Sequence, residues 1–421
     1  MVSRFSDVYM VAGGLTKFQK AAPERDFRLR VKDAFDYALS DLGIEKTMID
    51  GSVGAYFSDH FQRQVMAGAM VQDYLGLNPK PSKRLEGGGA TGGLAMHSGY
   101  EEIASGRMQL CAVFGFETMS HVNTWKGNEF IALASDTDFD YPVGGFYTGY
   151  YAMMARRHMY EFGTTVEQFA EVSVKNHGNA VHNKYAQRPM KISVEDVRKS
   201  PMVSSPLTRL DICTMSDGAA VALLASEEKA YELTDNPVKI SAIGGGTDTM
   251  RLSDRPFGDV PLLPHEKKSD YSGLKYPGVH SFRAGRIAAI EAYKKAGITD
   301  PPSEIDVVEA YDSYTSAEIQ AYEDLGLCHY GEGGSFVEEG KSKLGGKIPV
   351  NPSGGLIGTG HAIGATGIMQ SVFMFWQLQA SMKKHLGCDR LQVSGAKRGV
   401  VHTHAGTGTY ETVTVMEAAG K

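Results

Sequence analysis

Two glycine-rich turns decide the fold. They are Gly87-Gly88-Gly89-Ala90-Thr91-Gly92-Gly93 and Gly358-Thr359-Gly360-His361-Ala362-Ile363-Gly364, and each feeds an apolar helical stretch. Working outward, the segments before them match as well. In the first half, residues 27–42 carry Phe27, Val31, Ala34, Phe35, Ala38 and Leu42 on one stripe at spacings of three and four, the period of a helix with one buried face. Gly43-Ile44 closes that helix, Gly being the usual C-terminal stop, and Ile49-Asp50 leads into a strand. In the second half a helix over 285–296 ends at Gly297-Ile298, and Ile305-Asp306 leads into a strand over 305–310. A repeated β/α unit predicts two similar halves about a pseudo-twofold axis.

Further strands are expected at 8–12, 110–116, 399–402 and 409–416, and further helices at 315–325 and 364–378. The repeat is interrupted over roughly 119–240 by a stretch rich in aromatics and amides (Tyr141, Phe146, Tyr147, Tyr150, Tyr151, Asn176, His177), read as an inserted lobe covering one face, where insertions in α/β folds carry ligand contacts. The expected division is 1–118 with 219–265 for the N-terminal half, 119–218 for the lobe and 266–421 for the C-terminal half.

The bulk numbers exclude several classes. A chain of 421 residues that is 42% apolar buries a large core of two or three packed lobes. A net charge of −6 argues against nucleic-acid binding, which needs a basic face. No apolar run reaches the roughly 18–20 residues of a membrane span, and residues 1–7 hold no apolar signal region, so a cytoplasmic protein without a membrane partner is expected. Cys111, Cys213, Cys328 and Cys388 are scattered without a C-x-x-C pair, which argues against a disulfide framework and against a metal site.

Three motifs carry a family resemblance. Gly115-Phe116-Glu117-Thr118-Met119-Ser120, Ser216-Asp217-Gly218-Ala219-Ala220 and Gly360-His361-Ala362-Ile363-Gly364-Ala365-Thr366-Gly367 resemble, in order, the G-x-E-x-M-S, S-D-G-A-A and G-H-P-I-G-A-T-G segments of thiolases, with Ala362 in place of Pro. The resemblance spans nearly the whole chain and is closest to the sterol-carrier-type and archaeal branch. It implies a five-layered αβαβα thiolase fold, at least a homodimer, coenzyme A as a substrate, and a small zinc-ribbon/OB-fold accessory subunit.

It also implies the chemistry: an enolate beside a thioester, and acyl transfer to sulfur. Both build negative charge on oxygen and need donors aimed at it beforehand. The family's cysteine nucleophile lies on the N-terminus of a buried helix, where the dipole favours a thiolate. Aligning Glu86 and Ala90-Thr91-Gly92-Gly93 puts Gly89 at that position, with no thiol within two residues. Of the four cysteines, Cys328 is the one to test as a substitute; Cys111 is expected in the core, and so is Cys213, although its place before Ser216-Asp217-Gly218 could bring it near the site. His361 resembles the histidine that donates to an enolate oxygen or shuttles a proton. Tyr311, in Val308-Glu309-Ala310-Tyr311-Asp312, stands where relatives use Asn or His as a donor, and Asp312 is expected to orient the turn. In His402-Thr403-His404-Ala405-Gly406, His404 replaces the base of the family's C-x-G triplet, and the N–H groups of Gly89 and Gly406 would form a second oxyanion hole. Gly245, Gly246 and Thr247 resemble the segment lining the pantetheine tunnel.

The reading that follows is a coenzyme-A-dependent thiolase acting on a bulky 3-oxoacyl-CoA without a covalent acyl-enzyme, with benzoylsuccinyl-CoA as a candidate and Gly89 making room for the acyl group. The alternatives are a retro-aldolase on a 3-hydroxyacyl-CoA and a non-catalytic lipid-binding or scaffold homologue.

Overall fold

The computed structural model describes residues 6–21, 23–256, 258–271, 274 and 279–419. Nine strands form one mixed sheet: β1 (Val8–Leu15), β2 (Gly51–Ala55), β3 (Ser82–Leu85), β4 (Leu110–Thr118), β5 (Asp217–Ser226), β6 (Val238–Thr247), β7 (Val307–Glu309), β8 (Arg398–Ala405) and β9 (Tyr410–Ala418). Their spatial order is β3-β2-β4-β5-β1-β6-β9-β8-β7. The duplication is visible in that order. In the first half β2 runs parallel to β4, which is antiparallel to β5, itself antiparallel to β1. In the second, β7 runs parallel to β8, which is antiparallel to β9, itself antiparallel to β6. An isolated parallel bridge between Val308 and Val350 stands where β3 pairs with β2. The halves join where residues 8–10 of β1 pair antiparallel with 238–240 of β6.

The same packing device serves both halves. Helix α1 (Phe27–Leu42) is capped by the Asp26 side chain and ends at left-handed Gly43; its backbone comes so close to β1 that a Cβ on Gly14 would lie 2.0 Å from the Ala34 carbonyl oxygen. In the second half the outer helix Arg283–Ala296 ends at left-handed Gly297, and a Cβ on Gly246 would lie 2.0 Å from the Ala284 carbonyl oxygen. Glycine in these strands lets helix backbone lie on strand backbone.

Between the sheet layers run α2 (Thr91–Ala104) and the wholly buried helix Ile363–Leu378. They cross at their N-terminal turns, where a Cβ on Gly92 would be 2.7 Å from the Gly367 nitrogen and one on Gly367 2.4 Å from that of Gly93. The close crossing brings both glycine-rich turns to one place. The stretch 119–218 contains the helices Thr124–Ala132, α3 (Tyr147–Phe162), Val166–Ala180 and Val194–Lys199. This is the layered α/β architecture expected. Among the described residues, no helix is long and apolar enough to cross a membrane.

Candidate active site

The N-terminus of α2 begins as a tight turn over Gly88–Ala90, held by Thr91 Oγ1 donating to the Gly88 carbonyl (2.6 Å) and by the Gly88 N–H donating to Glu86 (2.7 Å). Gly89 is only partly buried. Opposite it is Tyr311, in the turn after β7. Asp312 anchors that turn by accepting from the Leu356 N–H (2.6 Å) and from Asn176 Nδ2 (2.7 Å), an amide of the covering lobe. His361 sits in the second glycine-rich turn and His404 near the end of β8. Gly89, Tyr311, His361, His404 and Gly406 all line one inner cavity of about 90 Å³, with Phe57, Tyr147, Tyr151, Cys213, Ser313 and Tyr314 among its other walls. An outer cavity of about 340 Å³, lined by His60, Glu86, Phe130, Met250, Thr409 and Tyr410 among others, shares Phe57, Gly88, Ala134 and Gly406 with it.

The slot beside Gly89 is filled. A Cβ there would lie 2.4 Å from the Tyr311 hydroxyl and 2.4 Å from the His404 carbonyl oxygen. The room that glycine gives up is therefore taken by the phenol, which corrects the expectation that it is open to the acyl group.

Hydrogen bonds fix which atoms carry protons. Thr366 Oγ1 donates to the Ala362 carbonyl (2.9 Å), so its 2.8 Å contact with His361 Nδ1 is one in which the imidazole donates. Nδ1 holds the ring proton, Nε2 is a lone pair, and Tyr311 O–H donates to it across 3.0 Å. His361 thus accepts from Tyr311, where the motif implies a histidine that donates to an enolate oxygen or shuttles a proton. Burial keeps it neutral by lowering its pKa to about 3, and burial raises that of the Tyr311 phenol. His404 is likewise held neutral by burial and by the nearby His402 and His361, and its ring lies 4.6 Å from that of Tyr311, centroid to centroid.

Cys213 is on the cavity wall and Cys328 is not, reversing their expected order of interest. Burial, reinforced by Asp312, pushes the Cys213 thiol up to about 12, so it is protonated and a poor nucleophile near neutrality. Gly245, Gly246 and Thr247 line neither cavity: Gly246 faces Ala284, the Gly245 N–H donates to Glu291 (2.9 Å), and Thr247 pairs with Tyr410 on the sheet. Gly246 serves helix–strand approach, whereas a Cβ on Gly245 would meet nothing within 4 Å.

Sequence reasoning passed over two groups. Glu117, within a quoted motif, ties β4 to the second glycine-rich turn by accepting from the Phe57 N–H (2.8 Å) and the Gly364 N–H (3.0 Å). Tyr151, seen only as one aromatic of the lobe, contacts His404. As for metals, His402, His404 and Glu411 are the cluster of possible ligands among the described residues, with one donor atom of each within 4.8 Å of the others. His402 Nε2 and Glu411 Oε2 are joined by a 2.6 Å hydrogen bond, and the cluster is not read as a cation site.

Comparisons with known proteins agree with this architecture. The model of the thiolase N-terminal domain matches residues 8–228, and that of the thiolase C-terminal domain-like family matches residues 269–418. An acetyl-CoA acetyltransferase of Methanothermobacter thermautotrophicus is 40% identical over 403 residues, covering 96% of this chain and 97% of its own. The benzoylsuccinyl-CoA thiolase subunit BbsB of Thauera aromatica is 31% identical over 399 residues, 94% of each chain. Among solved structures, the Ltp2-ChsH2(DUF35) aldolase superposes with a TM-score of 0.79 at 22% identity over 99% of both chains. With both domain models matched in order and relatives aligned along nearly its full length, the chain belongs to the thiolase superfamily.

Proposed function

We propose that this thiolase-superfamily chain cleaves or forms the C2–C3 bond of a bulky 3-oxoacyl-CoA by enolate chemistry, with the acyl group passing directly between carbon and the sulfur of coenzyme A. The observation that carries the proposal is Tyr311, whose hydroxyl fills the side-chain slot of Gly89 and gives its proton to His361 Nε2. A phenol backed by a neutral imidazole is a general-base relay. The coenzyme A thiol loses its proton to the Tyr311 oxygen as Tyr311 passes its own to His361. Sulfur attacks C3, the C2–C3 bond breaks, and its electron pair becomes the enolate of the departing thioester. The N–H groups of Gly89 and Gly406 are the proposed donors to the developing oxyanions. The relay then returns the proton to C2, so two thioesters leave and no acyl-enzyme forms.

A second reading is favoured by the same relay. On a 3-hydroxyacyl-CoA it would take the proton from the 3-hydroxyl; C2–C3 cleavage then releases an aldehyde or ketone, and the proton returns to C2 of the enolate. This retro-aldol reaction needs no acyl acceptor, which suits a site whose thiol is protonated. We also propose a homodimeric core and a small accessory subunit; the two-component name of the Ltp2-ChsH2(DUF35) aldolase supports the latter.

The test is a product assay on the chain with its accessory subunit. Benzoylsuccinyl-CoA is the first probe, supported by the BbsB relative, and a matched 3-hydroxyacyl-CoA is the second. Stoichiometric loss of free coenzyme A with two thioester products supports thiolysis. An aldehyde or ketone without coenzyme A consumption supports the aldol reading. No turnover of any 3-oxoacyl- or 3-hydroxyacyl-CoA overturns both.

A further inference from the structure

The Tyr151 hydroxyl of the covering lobe meets both His404 and Gly406. Tyr151 lies on α3, is 2% exposed, and is fixed by stacking on Tyr314 with ring centroids 4.1 Å apart and planes 19° from parallel. Its oxygen is 2.6 Å from His404 Nε2 and 2.7 Å from the Gly406 carbonyl oxygen. A phenol has one hydrogen and a carbonyl oxygen can only accept. The hydrogen therefore goes to Gly406, and the contact with the ring must be one in which His404 Nε2–H donates to Tyr151. In the neutral imidazole the lone pair is then on Nδ1, an atom that meets no hydrogen-bond partner in the structure.

We infer that Tyr151 is a positioning residue that sets the tautomer of His404, making Nδ1 its basic atom, and that pins the Gly406 peptide in the left-handed conformation (φ 61°). With the hydroxyl gone, the ring is free to flip or to exchange tautomers, and the Gly406 carbonyl loses its donor. One side chain of the lobe thus orients both His404 and Gly406, acting through two groups that line the inner cavity.

The tautomer is read directly by ¹⁵N-detected histidine spectra of the full-length protein labelled only in histidine, with the His404 signals assigned by their loss in His404→Gln. A protonated Nε2 and a bare Nδ1 support the inference. A protonated Nδ1 in the wild type overturns it, whatever the reaction turns out to be, so this arm stands apart from the proposed function. The second arm rests on that function. Tyr151→Phe lowers kcat by about 10- to 100-fold, by analogy with the loss of the partner that orients a metal-ligating histidine, with KM within about twofold, and its His404 spectrum becomes a mixture of tautomers. A Tyr151→Phe enzyme with unchanged kcat and a single Nε2–H tautomer overturns the positioning role even if turnover is exactly as proposed in every other respect.

Discussion

Replacing Gly89 with cysteine restores the family's nucleophile by sequence, yet the geometry predicts loss of activity. The new Cβ would stand 2.4 Å from both the Tyr311 hydroxyl and the His404 carbonyl oxygen, where real Cβ atoms keep beyond 3.0 Å. Each contact must open by at least about 0.6 Å. The carbonyl belongs to buried strand β8 and yields little, so Tyr311 moves and its 3.0 Å bond to His361 breaks. Misplacing a reacting group by about 1 Å costs roughly 10²-fold, and general-base relays are worth about 10²–10⁴-fold. These are one loss counted two ways, so kcat should fall by at least about 10²-fold. Overpacking of this kind costs about 1–3 kcal/mol, read as a lower urea midpoint with unchanged slope. Gly89→Ala carries the same clash without a thiol and should lose activity equally. Steady-state rates on the substrate found by the product assay, with denaturation curves for both variants, decide the matter. A Gly89→Cys enzyme that turns over at or above the wild-type rate through an acyl-thioester would refute the reasoning, because it would need the slot to be open.

Three further outcomes follow from the same geometry. Tyr311→Phe removes the relay's hydroxyl and should lower kcat by about 10²–10⁴-fold, while the unpaired His361 Nε2 costs about 1–3 kcal/mol of stability; activity within threefold of wild type would contradict the assignment. Burial lowers the pKa of His361 and His402 to about 3 and also depresses that of His404. The unfolded chain therefore binds protons below about pH 6.5 that the native state refuses, and stability falls as pH drops from 6.5 towards 3. At about 1.4 kcal/mol per pH unit for each histidine, His402→Gln should flatten the urea midpoint's acid slope by roughly a third of what the three contribute; an unchanged slope would show His402 to be solvated. With its thiol near 12, Cys213 should be alkylated about tenfold faster per pH unit from 7 to 10, as peptide mapping would show, and a rate that levels off near pH 8.5 would indicate an ordinary thiol.

Much of the fold was legible because local signals and tertiary packing agree. The stripe over 27–42 gives the helix to its ends, since Asp26 caps it and Gly43 stops it. The strand expected over 8–12 continues to Leu15, because pairing to β5 carries on through Gly13 and Gly14 and Gly14 admits helix backbone. The two turns were legible from their glycines, of which Gly92 serves the crossing of the two central helices. What the sequence hid was set by distant partners. The protons of His361 depend on Thr366 donating to Ala362 rather than to the ring. Tyr151 reaches the cavity because the lobe folds back over it, and nothing local to that residue records the path, whereas Cys213 has one local sign in its place before Ser216-Asp217-Gly218. Gly246 packs against Ala284, a use the sequence does not distinguish from ligand approach because both are served by the same residue type.

The central claim is carbon–carbon chemistry without a covalent acyl-enzyme, and rapid-quench intact-protein mass spectrometry during turnover tests it most directly. The account predicts product accumulating while the protein mass stays that of the unmodified chain at every time point. A transient adduct of the acyl mass, mapped to Cys213 or to any other side chain and forming as fast as product appears, would contradict it.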